Sequence, residues 1–430
     1  MSSLPAPAPQ PRVSLPHVPD YQWPATFGRW RALPRRALLN VTFFASYAVG
    51  RIVAVLKRST SKSLLVIRTD GLGDAVLFEP AFRSLAAKYP QHKIHLWAPA
   101  PVCELYRAAS FVSKLKPIVR GCKSGNLMFF RSPLLRAYTG YLMGRWSFDI
   151  AIYPAESAEP LGNFLLRSVR ARERWIVDGD TENQFDWQRD RAVIGATRLL
   201  SKCHKSGHEL LRNAHLARQW GSTIDGDRPI IHFADDAAQF AAGRTRMWRS
   251  IAARVEASAL IGIIPAGMNP SKDYPAESWS RVLRELWQQH RIMPAFLTLP
   301  EEQASIQAIM SPIRDVPFVD MTTSVEVLAL SAIMTRVDCV IAIDTGSAHL
   351  ALAASVPSVI LCGGGHPGRF LPWPAVPSKA VVLTHRTSCE GCRGRCTQRE
   401  TECITKIDPS QVVDACLKIL GRNVRLRAAG

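Results

Sequence analysis

The stretch DTGSAHLALAASVPSVILCGGG, residues 344–365, places an acid, a hydroxyl, a glycine and a histidine directly ahead of an Ala/Leu-rich run. Asp344 or Thr345 can cap the helix that this run predicts, and Gly346 lets a ligand approach the backbone. The free N–H groups of the first turn and the helix dipole then face an anion, typically a phosphate. His349 falls in the same turn, within reach of that anion. A second loop, IPAGMNPSKDYPAESW, sets Gly267 just after an apolar run and Lys272 five residues later, ahead of a helical pattern. A lysine there can neutralise charge that grows on a departing phosphate; its plainer alternative is a solvated loop residue.

A third loop, IRTDGLGDAVLFEP, follows an apolar strand. Gly71 and Gly73 make a tight turn, and Asp74 stands at the head of the next helix. A dinucleotide fingerprint would require Gly or Ala where this chain has Val76, and acids at this turn would repel a pyrophosphate. An acid at the carboxyl end of a strand suits removal of a proton from a hydroxyl. The alternative for Asp74 is a helix cap. Asp70 is a second acid, placed to orient the loop or a neighbouring base.

The late segment CEGCRGRCTQRETEC brings Cys389, Cys392, Cys396 and Cys403 onto one short loop. Four thiolates so close could hold a structural zinc or iron ion, although the spacing is not that of a zinc knuckle. The alternative is a set of reduced thiols in a basic loop. His204 and His208 have an i,i+4 spacing that could bind a metal on a helix, with a solvated helix face as the favoured reading. The remaining cysteines are scattered through apolar segments, as expected of a reducing compartment.

The elements that must position these loops alternate. LLVIR (64–68), KIHLWAP (93–99) and DIAIYP (149–154) predict buried strands, and a second series runs through ALIGIIPAG, PAFLTLP, DCVIAID and PSVILCG. Helical patterns lie between them. Strands with few polar residues, alternating with helices, indicate parallel sheets covered on both faces. Two such series predict two doubly wound, Rossmann-like domains facing across a cleft. We expect a leader over 1–62, one domain over 63–250 and another over 251–430. The leader is proline-rich to about residue 24 and carries no secretory signal pattern. Leu38 to Leu56 is largely apolar but interrupted by Asn40, Thr42, Ser46 and Arg51, and flanked by Arg35, Arg36, Lys57 and Arg58. That pattern predicts a helix lying on an anionic membrane surface or packing on the body of the protein, rather than a span.

The chain has 430 residues, 47% hydrophobic, with 54 basic against 35 acidic side chains and a formal charge of +19. Such a surplus attracts polyanions. No helix-turn-helix, aromatic RNA-binding or zinc-finger spacing accompanies it, so no nucleic-acid partner is expected.

The three loops and the cysteine segment occur in the order seen in glycosyltransferase family 9, the bacterial heptosyltransferases of lipopolysaccharide synthesis and their relatives. The chain resembles that family from about residue 63 to about 420, most specifically in Asp-Thr-Gly-x-x-His at 344–349. The resemblance implies a GT-B fold and an inverting glycosyltransferase that needs no catalytic metal or other cofactor, usually with ADP-heptose as donor. It implies Asp74 as general base, Lys272 at the donor phosphates, Thr345 and Gly346 at the diphosphate turn, and Asp344 and His349 completing the donor motif. It also implies a glycolipid or glycan acceptor of lipopolysaccharide type and a cytoplasmic enzyme peripheral to the inner membrane. TDGLGD before the helix is common among less specialised relatives and leaves the acceptor open. The donor-pocket acid expected after the next strand is Glu301 or Glu302. Two other classes fit the same loops: a sugar-nucleotide epimerase of GT-B shape, and a non-catalytic polyanion-binding module.

Overall fold

The computed structural model describes residues 33–56, 62–118, 133–203, 207–224, 228–267, 269–298, 302–320, 326–374, 379–398 and 400–421. Within them lie two six-stranded sheets, both parallel throughout. The first holds β1 (Ser63–Ile67), β2 (Lys93–Ala98), β3 (Lys114–Pro117), β4 (Ser147–Tyr153), β5 (Arg170–Val177) and β6 (Arg198–Leu200). The second holds β7 (Ala259–Ile264), β8 (Ile292–Phe296), β9 (Val319–Asp320), β10 (Cys339–Ile343), β11 (Ser358–Leu361) and β12 (Ala380–Leu383).

The strand orders are β3-β2-β1-β4-β5-β6 and β12-β11-β10-β7-β8-β9, the same winding in each sheet. In both, the order reverses at a central pair, β1 beside β4 and β7 beside β10. Chains leaving the carboxyl ends of such a pair diverge to opposite faces, and the crevice between them is where open α/β sheets bind ligands. Asp70, Gly267 and Asp344 all lie just beyond strands of these pairs. β7 and β10 are buried at every position, which is why they read as unbroken apolar runs.

Helix α1 (Leu33–Leu56) packs against the helix Pro133–Arg145 and the outer face of the first sheet. Helix α2 (Leu72–Lys88) follows β1 and packs on the helices Glu209–Gln219 and Gly346–Ala353. Residue 250, the end expected for the first domain, falls inside the continuous helix Asp235–Arg254. That helix packs on Val327–Met334 of the second half, and Arg249 pairs with Asp338 at 2.9 Å, so the helix belongs with the second sheet.

Candidate active site

The first half of the site is built on a buried arginine. Arg68, the residue after β1, is 4% exposed and stacks its guanidinium 4.3 Å from the Phe78 ring centre. It donates from Nε to Asp70 Oδ1 at 3.0 Å, from Nη2 to Asp70 Oδ2, and from Nη1 to the Pro154 carbonyl at 3.0 Å. The β1 loop is thereby tied to the loop after β4. Burial pushes the Asp70 carboxyl up to about 7, with Arg68 opposing and Asp74 and Glu159 adding to the rise. Asp70 is thus engaged in structure. Asp74 is not: it lies half-buried in the first turn of α2, and its carboxylate has no hydrogen-bond or ion-pair partner among the described residues.

The second half is built at the ends of β7 and β10. Lys272 sits in the short 3-10 turn Pro270–Lys272 and holds Asp344, with Nζ 2.7 Å from Oδ2 and 3.2 Å from the main-chain oxygen. Thr345 is the N-cap residue of Gly346–Ala353, yet its side chain does not cap, and Oγ1 is buried with no partner. A buried hydroxyl left unpaired beside free helix N–H groups is ready for a ligand oxygen. Gly267 is required by the same turn, since a Cβ there would lie 2.7 Å from Thr345 Cγ2.

His349 is 4% exposed. Its Nδ1 accepts from Trp373 Nε1 at 3.1 Å, and the two rings stack with centres 5.9 Å apart. An indole nitrogen can only donate, so the imidazole proton resides on Nε2. Nε2 lies 4.0 Å from Asp344 Oδ1. Burial lowers the His349 pKa against the pull of Asp344 and Asp74, which keeps the ring neutral.

The two halves touch at their glycines. A Cβ on Gly346 would stand 2.9 Å from Leu72 Cβ and 3.2 Å from the Gly73 nitrogen; one on Gly73 would stand 2.9 Å from His349 Cδ2. Two helix starts therefore meet, one carrying an unpartnered acid and the other an unpaired buried hydroxyl. An acid able to take a proton and a helix start able to hold a phosphate, in such proximity, suit transfer of a group from a phosphate ester to a hydroxyl.

Residues 185–402 match glycosyltransferase family 9 (heptosyltransferase). The chain belongs to that family. No curated protein matches it. Among solved structures, a family 9 glycosyl transferase from Veillonella parvula is 18% identical, with 84% of this chain and 97% of that chain covered and a TM-score of 0.63. The ADP-heptose lps heptosyltransferase II of E. coli is 16% identical, with 83% and 98% covered and a TM-score of 0.58. E. coli heptosyltransferase WaaC, solved with ADP, is 14% identical, with 83% and 99% covered and a TM-score of 0.56. These likenesses establish the shared GT-B fold.

In this family 9 chain, Asp70 and Asp74 border a cavity of about 650 Å³ between the halves. Glu156, Glu182 and Glu209 line it from the first half, and His366, Arg369 and Arg393 from the second. Arg369 crosses the gap. Its Nη1 is 3.1 Å from Glu182 Oε2, its Nε is 3.3 Å from Glu209 Oε2, and its Nη2 donates to Ser157 Oγ at 3.0 Å. Arg369, Trp373 and the three glutamates belong to no local motif because their partners lie well away along the chain, and Arg68, although paired with Asp70 two residues on, also reaches the distant Pro154 carbonyl.

The cysteine segment contributes Cys392 to the cavity wall. Cys389 Sγ lies 3.4 Å from Thr387 Oγ1, Cys396 Sγ faces the Glu400 carbonyl at 3.8 Å, and Cys403 packs against Gly363. Among the described residues no three His, Cys, Asp or Glu side chains converge as metal ligands, these four included. None of the described cysteines forms a disulfide. His208 is a buried N-cap rather than one of a pair on a helix face. Its Nδ1 accepts from Leu210 N at 3.1 Å, and Nε2 donates to the Phe370 carbonyl at 2.8 Å. Its expected companion His204 lies outside the described residues, as does Glu301; Glu302 directly precedes the helix Gln303–Met310.

Proposed function

We propose that this family 9 enzyme transfers heptose from ADP-heptose to a hydroxyl of a lipopolysaccharide-type or related glycan, at the cytoplasmic face of the inner membrane. The Asp74 carboxylate takes the proton of the acceptor hydroxyl as its oxygen bonds to the anomeric carbon. The bond from that carbon to the diphosphate oxygen breaks, and ADP leaves with the electron pair. Attack from the face opposite the leaving group inverts the configuration. Lys272, the Thr345 hydroxyl and the start of Gly346–Ala353 hold the growing negative charge without a catalytic metal.

The observation that carries this reading is the unpartnered Asp74 beside the contact of Gly73 with His349. The cavity supports the acceptor class. Its carboxylates accept from hydroxyls and its guanidinium groups donate to them, the alternation that a polyhydroxylated glycan requires.

The test presents ADP-heptose and the corresponding UDP and GDP sugars with truncated glycan acceptors, and follows nucleotide release together with product linkage. Acceptor-dependent ADP release with inversion is expected. Sugar interconversion without an acceptor would instead identify an epimerase, and binding without turnover of any donor a non-catalytic module.

A further inference from the structure

Helix α1 lies outside the catalytic cleft, and its two sides differ. The inner side approaches Pro133–Arg145 so closely that glycines are needed. A Cβ on Gly50 or Gly140 would fall 2.3 Å from the carbonyl oxygen of Tyr141 or Phe43, and one on Gly144 would fall 2.0 Å from that of Tyr47. Phe43, 5% exposed, anchors the pair edge-on to Phe164 with ring centres 5.4 Å apart. The outer side is apolar and exposed. Leu38, Val41, Ala45, Val49 and Ile52 follow one another at three- and four-residue spacing, which puts them on one face. Val41 and Ile52 are 62% and 63% exposed, and Phe44 beside them 65%. Leu134 and Tyr138 are exposed on the paired helix.

The two stretches of sequence that contain this helix pair carry charge of one sign. Residues 21–69 hold nine Lys and Arg and no Asp or Glu; residues 105–148 hold eight and none. Those seventeen account for all but two of the chain's nineteen surplus positive charges, so the rest of the molecule is nearly balanced. Arg51 and Arg145 are exposed on the two helices, while Lys114 and Lys116 reach over the rings of Trp146 and Tyr138. No helix among the described residues is long and apolar enough to cross a membrane.

We propose that α1 and Pro133–Arg145 together form a docking surface for an anionic lipid bilayer. α1 lies in the plane of the interface along about 36 Å at 1.5 Å per residue. Its Leu38–Ile52 face enters the acyl boundary, and the basic side chains meet lipid phosphates. Charge of one sign selects an anionic surface over a second copy of this chain, which would bring the same positive charges face to face. The proposal deepens the membrane-face reading above, and its test needs no turnover.

The full-length protein is floated with vesicles containing phosphatidylglycerol and with vesicles of phosphatidylcholine alone, beside a Val41→Glu, Ile52→Glu double variant. Flotation only with the anionic vesicles is expected, reduced about tenfold in the double variant. Both substituted positions are exposed, so the melting temperature should hold; if it falls, Val41→Ser with Ile52→Ser replaces the pair. Equal flotation of variant and unaltered protein, or equal flotation with both vesicles, overturns the proposal. So does a variant that turns an oligomer into a monomer with flotation unchanged. ADP binding measured on the same samples separates the readings: binding without flotation sinks the docking surface alone, and flotation without binding sinks the transferase reading alone.

Discussion

The indole N–H of Trp373 donates to Nδ1 of His349, and this bond decides which imidazole nitrogen carries the proton presented to Asp344. Trp373→Phe keeps an aromatic ring in the stack and removes only the donor. A neutral hydrogen bond of this kind contributes about 1 kcal/mol, so ADP affinity should fall roughly fivefold with little change in melting temperature. Calorimetry beside a thermal melt checks it. Unchanged affinity would mean that the His349 tautomer is set elsewhere.

Asp74 and Lys272 should separate kinetically. Asp74→Asn keeps size and polarity but cannot take a proton, so kcat should drop by about 10²–10⁴ with ADP affinity intact. Lys272→Ala should weaken ADP binding instead, and it leaves Asp344 without its counter-charge. Steady-state kinetics with ADP titration distinguish the two, and equal effects on both parameters would argue against the assigned roles.

Gly346 faces backbone as well as side chain across the contact between halves. An added methyl meets Leu72 Cβ and the Gly73 nitrogen, neither of which can swing aside. Gly346→Ala should therefore cost about 1–3 kcal/mol of stability or part the two helix starts, with loss of turnover in either case. Chemical denaturation and an activity assay read both. A fully active, equally stable variant would show that the contact is looser than described.

His208 gives the protein an acid-sensitive joint. Burial lowers its pKa from 6.5 to about 4, with the Phe370 carbonyl opposing and His349 adding to the fall. The unfolded chain takes up a proton at this ring below about 6.5, the folded protein only below about 4. The stability is therefore complete above pH 6.5 and lost as pH falls towards 4, by about 3 kcal/mol. His95, lowered to about 4 by burial with Lys114 and Lys93 adding to the fall, acts in the same direction. Denaturant unfolding at pH 7 and pH 4.5 measures the difference, and His208→Gln should reduce it. An unchanged slope in the variant would assign the acid sensitivity to other groups.

The centres of both sheets were legible because parallel strands buried on both faces must be apolar throughout: SLLVI, ALIGII and CVIAI can be little else. β5, written RARERWIV, could not be read this way, since its first half is only partly buried and its charged residues interrupt the run. Gly73, Gly267 and Gly346 were legible for a similar reason, because a tight approach leaves few residue choices. Arg369 was not. Nothing local distinguishes it from the chain's other arginines, and its partners Glu182 and Glu209 lie 187 and 160 residues away. The role of α1 was half legible: its apolar run and basic flanks are in the sequence, whereas the side that packs is set by glycines on a helix some ninety residues later.

Arg369 has a consequence for how the cleft can open. It belongs to the second half, but the carboxylates it neutralises, on Glu182 and Glu209, belong to the first. Parting the halves leaves both acids without their shared cation in the cavity wall. A gaping form should thus repel phosphorylated molecules more than the shut form does. Dissolved salt, by screening those bared acids, should ease the separation, so ionic strength becomes a handle on product escape independent of the chemical step.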